Sequence, residues 1–134
     1  MVFVIMNMQK PSEIEAYQVQ AALTKVLGHP ARLRILDILS HGEACVCHMT
    51  TILGQRQPYV SQLLMSLREA DLVRDRREGS TVYYRLSDSR IAALISLTRD
   101  LLRERDPQLV WPAVPEMPVE GCPCPHCASL REGL

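Results

Sequence analysis

The chain has 134 residues, 15 Lys+Arg against 15 Asp+Glu, and 47% hydrophobic residues with only 4% aromatics. That length fits one domain with a short tail to spare, and that composition excludes wholesale disorder and requires an aliphatic core. Zero net charge neither advertises nor excludes a polyanion partner, because such binding depends on local charge clusters.

Residues 1–6 are apolar but have no basic segment before them and no cleavage site, so they do not form a signal peptide. No apolar run approaches the roughly 20 residues that span a bilayer. A cytoplasmic protein without a membrane partner is expected, with residues 1–11 as an N-terminal arm. Ser12 to Leu27 reads as a helix, with Ser12 as N-cap, Glu15 at the capping-box spacing and Gly28 as the stop. Pro30 opens a second helix to about Leu39, with Leu33, Leu36 and Leu39 on one face. A short third helix covers roughly Val46 to Leu53. A turn over Gly54–Gln57 follows, and Pro58 opens a fourth helix to about Ala70 whose buried stripe is Val60, Leu64 and Leu67.

Arg74–Arg77 and Ser80–Arg85 read as two short strands around a Glu78-Gly79 turn. Ser87 and Asp88 cap a long helix to about Arg105, with Ile91, Leu94, Ile95, Leu97, Thr98, Leu101 and Leu102 on its apolar side. Six of the nine prolines fall between Pro107 and Pro125. That density predicts an extended, polyproline-like segment, so residues 107–134 are assigned as a Pro/Cys-rich extended tail. The fold class is α+β, mainly α.

Two short helices joined by a Gly-containing turn, then a hairpin, is the layout of a winged helix-turn-helix over residues 12–106. In that layout the second helix enters the major groove of double-stranded DNA with its N-terminal residues against base edges. This places Arg56, Gln57, Tyr59, Ser61 and Gln62 at the groove, where Gln pairs with adenine and Arg with guanine. Arg74, Arg76 and Arg77 make a basic wing for backbone phosphates.

Five cysteines, an odd number clustered as two plus three, argue against a disulfide framework and for metal ligation or redox chemistry. Cys45 and Cys47 open the third helix. Residues i and i+2 of an ideal helix lie about 200° apart, so the helix must begin after Cys45 for both sulfurs to reach one ion. Cys122, Cys124 and Cys127, with His126 as a possible fourth donor, pack into six residues of the tail. Soft thiolates select Zn, Cd, Pb, Cu(I) or arsenite over Mg or Ca.

The stretches HPARLRIL (29–36), EACVCH (43–48), QPYVSQLL (57–64), LREADLV (67–73) and DRREGSTVYYRL (75–86) resemble the ArsR/SmtB metalloregulatory repressors. The resemblance covers about residues 20–105. It implies a homodimeric winged-helix repressor, paired through its first and last helices and released from operator DNA by a metal or metalloid. It also assigns Cys45 and Cys47 as ligands. The sequence departs from the family where Thr50 stands in place of a third cysteine, His48 in place of an Asp, and Leu63 in place of a His in the reading helix.

Four readings stay open. The tail cysteines can complete a shared site with Cys45 and Cys47, which is preferred because the local pair is incomplete alone. They can form a site of their own. The same thiols can also serve a redox-sensing repressor, or a structural zinc in a constitutive one. Pro107 to Cys122 is long enough to reach the helix pair of either subunit, since 15 extended residues span about 50 Å. An enzyme is not expected. Cys124 and Cys127 have dithiol spacing, but nothing supplies the fold that such a catalyst needs.

Overall fold

A computed structural model describes residues 13–133. The expected N-terminal arm and the Ser12 cap lie outside the described residues. The elements are α1 Glu13–Leu27, α2 Pro30–Ser40, β1 Ala44–Cys45, α3 Val46–Leu53, α4 Gln57–Glu69, β2 Val73–Glu78, β3 Thr81–Leu86, α5 Ser89–Arg105 and α6 Pro125–Glu132. The winged helix-turn-helix and the mainly helical class are as the sequence indicated.

Local signals explain the boundaries. His29 is the N-cap of α2, its Nδ1 accepting the Ala31 amide at 3.2 Å, and Pro30 occupies the first turn. Asp88 caps α5 by accepting the Arg90 amide at 2.8 Å; side-chain caps of this kind contribute about 1 kcal/mol. Gly54 ends α3 at φ 63°, a left-handed conformation that favours glycine, and so sets the turn into α4.

The core is aliphatic. Ile35, Leu36, Ile38 and Leu39 of α2 pack with Met49 of α3, with Val60, Leu63, Leu64 and Leu67 of α4, and with Leu72, Val73 and Ile95. Leu33 is not on that face; it is 38% exposed and lines a groove under the tail. The hairpin turn falls at Gly79-Ser80, one residue later than expected, because Glu78 still pairs with Thr81. A third strand, β1, pairs antiparallel with β3, with Ala44 opposite Tyr84 and Cys45 opposite Tyr83, giving the sheet order β1-β3-β2.

On α5, Ile95 is the buried residue among those described, while Leu94, Leu97, Leu101 and Leu102 stay 43–67% exposed. A single chain therefore leaves an apolar helix face uncovered. The tail folds back over the body: Trp111 lies between Arg99 and Arg103 of α5, 5.2 Å from each guanidinium carbon to the ring centroid. Arg99 also pairs with Asp37 of α2 at 3.2 Å. The tail is not extended throughout, because residues 125–132 form α6. Pro125 sits in the first helical turn, where a missing amide costs nothing, and Cys124 caps it.

Candidate metal centre and nucleic-acid interface

Cys45 is in extended conformation at φ −85° and ψ 166°, and α3 begins at Val46. That break in helix geometry lets the i and i+2 sulfurs meet, with Cys45 Sγ and Cys47 Sγ 2.7 Å apart. The tail then brings Cys122, Cys124 and Cys127 onto the same spot, walled by Val119, Ile52 and Tyr83. Two helix N-termini converge there, each capped by sulfur. Cys45 Sγ accepts the His48 amide at 3.3 Å, and Cys124 Sγ accepts the Cys127 amide at 3.3 Å. The positive ends of α3 and α6 thus favour thiolate charge at the cluster. Arg131 of α6 clamps the loop above it, donating to the Val119 and Cys122 carbonyls at 2.6 and 2.7 Å. Gly121, at φ 81°, makes the turn between those two residues.

The imidazole in the cluster is that of His48, not that of His126. His48 is buried, and its Nδ1 lies 3.5 Å from Cys127 Sγ; His126 is exposed. A sequence signal for His48 existed, because it stands three residues after Cys45 and so returns to the same side of α3. Thr50, which replaces the third cysteine of the family pattern, donates its hydroxyl to the Cys47 carbonyl at 2.8 Å.

Burial, with the Cys47 sulfhydryl beside it, drives the Cys45 thiol far above its ordinary range. Burial pushes the Cys122 thiol up to about 12 and also raises Cys127. Cys124 goes the other way. Burial opposes its ionisation, but the Cys127 amide and the Cys122, Cys127 and Cys45 thiols donate to it and together outweigh that cost. Burial and the neighbouring His126 push the His48 pKa down, which keeps its imidazole in the neutral, metal-ligating form. An ion taken up here must displace thiol protons.

The surface that the sequence assigned to DNA is built on α4. Arg56, Gln57, Tyr59 and Gln62 are exposed at its N-terminal end, and Ser61 is half-buried. Leu63 is buried in the core, so that position faces away from any groove. Substituting Tyr59→Ala or Gln62→Ala should alter base preference.

In the wing, Arg74, Arg76 and Arg77 are all exposed, but Arg76 is also engaged within the protein. Its guanidinium is held by Glu43 at 2.6 Å and Glu78 at 2.7 Å and lies 4.7 Å from the Tyr83 ring centroid. These partners compensate the charge that the sequence assigned to DNA. Replacing Arg74 and Arg77 by Ala together removes four charges from a dimer, so it should weaken binding to all sequences and reduce the slope of log affinity against log salt by about 3.6, roughly 0.9 per contact. Arg76→Ala should change that slope little. Salt-dependent operator titrations check both, and a slope change in Arg76→Ala about half that of the double variant would return it to the phosphate contacts.

Residues 29–75 match the family model described as bacterial regulatory protein, arsR family. The chain is 36% identical over 89 residues to the HTH-type transcriptional regulator MJ1325 of Methanocaldococcus jannaschii, covering 66% of this chain and 100% of that protein. It is 45% identical over 75 residues to a biofilm growth-associated repressor of Agrobacterium fabrum and 48% identical over 66 residues to the arsenical resistance operon repressor of Escherichia coli. Those matches cover 56% and 48% of this chain, and 64% and 56% of the relatives' lengths. A homodimeric winged helix-turn-helix DNA-binding domain from Mycobacterium bovis superposes with a TM-score of 0.64 at 30% identity, covering 79% of this chain and 100% of that one. Fold, motif order and relatives agree: the chain belongs to the ArsR/SmtB family of winged-helix regulators.

Proposed function

We propose that the protein is a homodimeric transcriptional repressor that binds double-stranded operator DNA and is released when its cysteine cluster takes up a thiophilic ion of the Zn, Cd, Pb or arsenite class. The observation that carries this reading is the convergence of five cysteines, from residues 45–47 and 122–127, on the N-terminus of the first helix of the helix-turn-helix. Relatives named for arsenical resistance and for repression support it, as does the homodimeric structural neighbour. Free thiols in all five positions suit a reducing compartment such as the cytoplasm. Among the described residues no helix is long and apolar enough to cross a membrane.

The donor set, thiolate sulfur plus one neutral imidazole, fits soft and borderline ions. Such an ion supplies strong bonds that hold the sulfurs together in one geometry. The chain does the rest. Cys45 lies in β1 and caps α3, α3 packs on α4, and Tyr83 of the wing touches the cluster. A change in where Cys45 and Cys47 sit is therefore felt at both DNA-facing elements. Release requires the ion to favour the DNA-free form, a coupling of about 1–3 kcal/mol.

Reduced protein titrated on operator DNA, with and without each ion, tests the reading. Cys45→Ser and Cys47→Ser should keep operator affinity and lose at least tenfold of the ion-induced release. Normal release of either variant by all four ions would overturn the role given to the pair.

The closeness of the Cys45 and Cys47 sulfurs favours one second reading, a thiol redox sensor using the same residues. That protein would respond to oxidant and not to metal under reducing conditions. A structural zinc in a constitutive repressor would instead show as loss of operator binding on chelation.

A further inference from the structure

Four donors complete a tetrahedral ion, and this cluster contains more. Its ligating atoms fall into two sets, Cys45, Cys47, Cys122 and Cys124 in one, and His48, Cys122, Cys124 and Cys127 in the other. Within each set the donors all lie within 4.8 Å of one another. Both sets contain Cys122 and Cys124. Two four-coordinate sites that share two ligands consume all the donors of these sets, with none left over. A thiolate sulfur that has bonded one ion keeps lone pairs for a second, so sulfur is suited to the shared positions, and both shared positions are cysteines.

The geometry points to a dinuclear centre: two thiophilic ions bound together, bridged by the sulfurs of Cys122 and Cys124. One ion is completed by Cys45 and Cys47 in an all-sulfur site, the other by Cys127 and His48 in a three-sulfur, one-nitrogen site. This rests on the metal-responsive reading above and deepens it.

Charge and burial agree. Apart from half-buried Cys47, every donor residue is buried. Uncompensated charge in such a place is costly. Five thiolates around one divalent ion leave a surplus of three negative charges, and a second divalent ion reduces that surplus to one. Each of the two cysteine segments also brings its own helix N-terminus, α3 behind Cys45 and α6 behind Cys124. The alternative is a single ion in the all-sulfur set, with Cys127 left as a thiol against His48 Nδ1.

The reduced full-length protein is titrated with cadmium(II), followed by thiolate-to-metal charge-transfer absorbance, with bound metal counted after gel filtration. Two Cd per subunit are expected for the native chain and one for Cys127→Ser and for His48→Gln, which lose the second site alone. In the cobalt(II) form, bridging sulfur should couple the two ions, so the magnetic moment per cobalt falls below that of an isolated tetrahedral ion; this readout needs no variant. Saturation at one Cd per subunit with operator release intact would overturn the dinuclear centre and leave the metal-responsive reading standing. Two Cd retained in both variants would overturn the ligand assignment. No binding at all would overturn both.

Discussion

Deleting residues 119–134 is expected to leave operator binding unchanged and to weaken ion-induced release at least tenfold, about 1.4 kcal/mol. The deleted segment carries Cys122, Cys124 and Cys127. What remains is Cys45, Cys47 and His48, and Thr50 cannot replace a lost sulfur because its hydroxyl is engaged with the Cys47 carbonyl. The DNA-facing elements do not depend on the segment. The core that holds α4 and the base of the wing is formed by α2, α3, α4, Leu72, Val73 and Ile95, and none of its buried members lies beyond residue 95. The deletion does uncover Cys45 and Tyr83, so thermal stability should fall modestly while the secondary structure of residues 13–105 persists. Operator anisotropy titrations across ion concentrations read the effect. Unchanged ion affinity and unchanged release in the truncated protein would remove the tail from the sensing site.

The second large effect concerns assembly. Leu97→Glu together with Leu101→Glu should yield a folded monomer with operator affinity reduced by at least a hundredfold. Leu97 is 67% and Leu101 51% exposed in the single chain, so neither supports the fold of one subunit. In a twofold pair each substitution occurs twice. Every leucine side chain kept from water contributes about 1.5–3 kcal/mol, and a carboxylate in its place adds a desolvation cost. A monomer also engages one half-site where a dimer engages two, and linked binding of that kind gains about 10²–10⁴ in affinity. Sedimentation gives the mass and circular dichroism the fold. A variant that stays dimeric would move the interface off this face of α5.

Long periodic segments with capping residues are readable in the sequence alone. Val60, Leu64 and Leu67 of α4 are all fully buried, as their spacing required, and α3 spans the expected residues. Other features are carried by tertiary contacts and leave little local trace. β1 has two residues, too few to show alternation, and exists because β3 offers it an edge. α6 hides behind prolines, and one of them, Pro125, helps to start it. The state of Arg76 depends on Glu43, 33 residues away in sequence, whereas its own neighbours suggest only a basic strand. The cluster was half legible: the cysteines are marked by residue type and the spacing from Cys45 to His48 is suggestive, but the choice between His48 and His126 rests on α3 turning His48 inward while α6 leaves His126 exposed.

Trp111 is the only tryptophan in the chain, and its place between Arg99 and Arg103 makes the protein its own optical reporter. An indole stacked against two guanidinium groups changes both emission maximum and quenching when it is released to water. Its fluorescence therefore reports, without a label, whether the strap that joins α5 to the cysteine cluster is seated. Because one end of that strap lies on α5 and the other at the thiols, a single emission trace recorded during ligand addition shows whether an event at the sulfurs travels to the helix whose exposed leucines are expected to pair two chains.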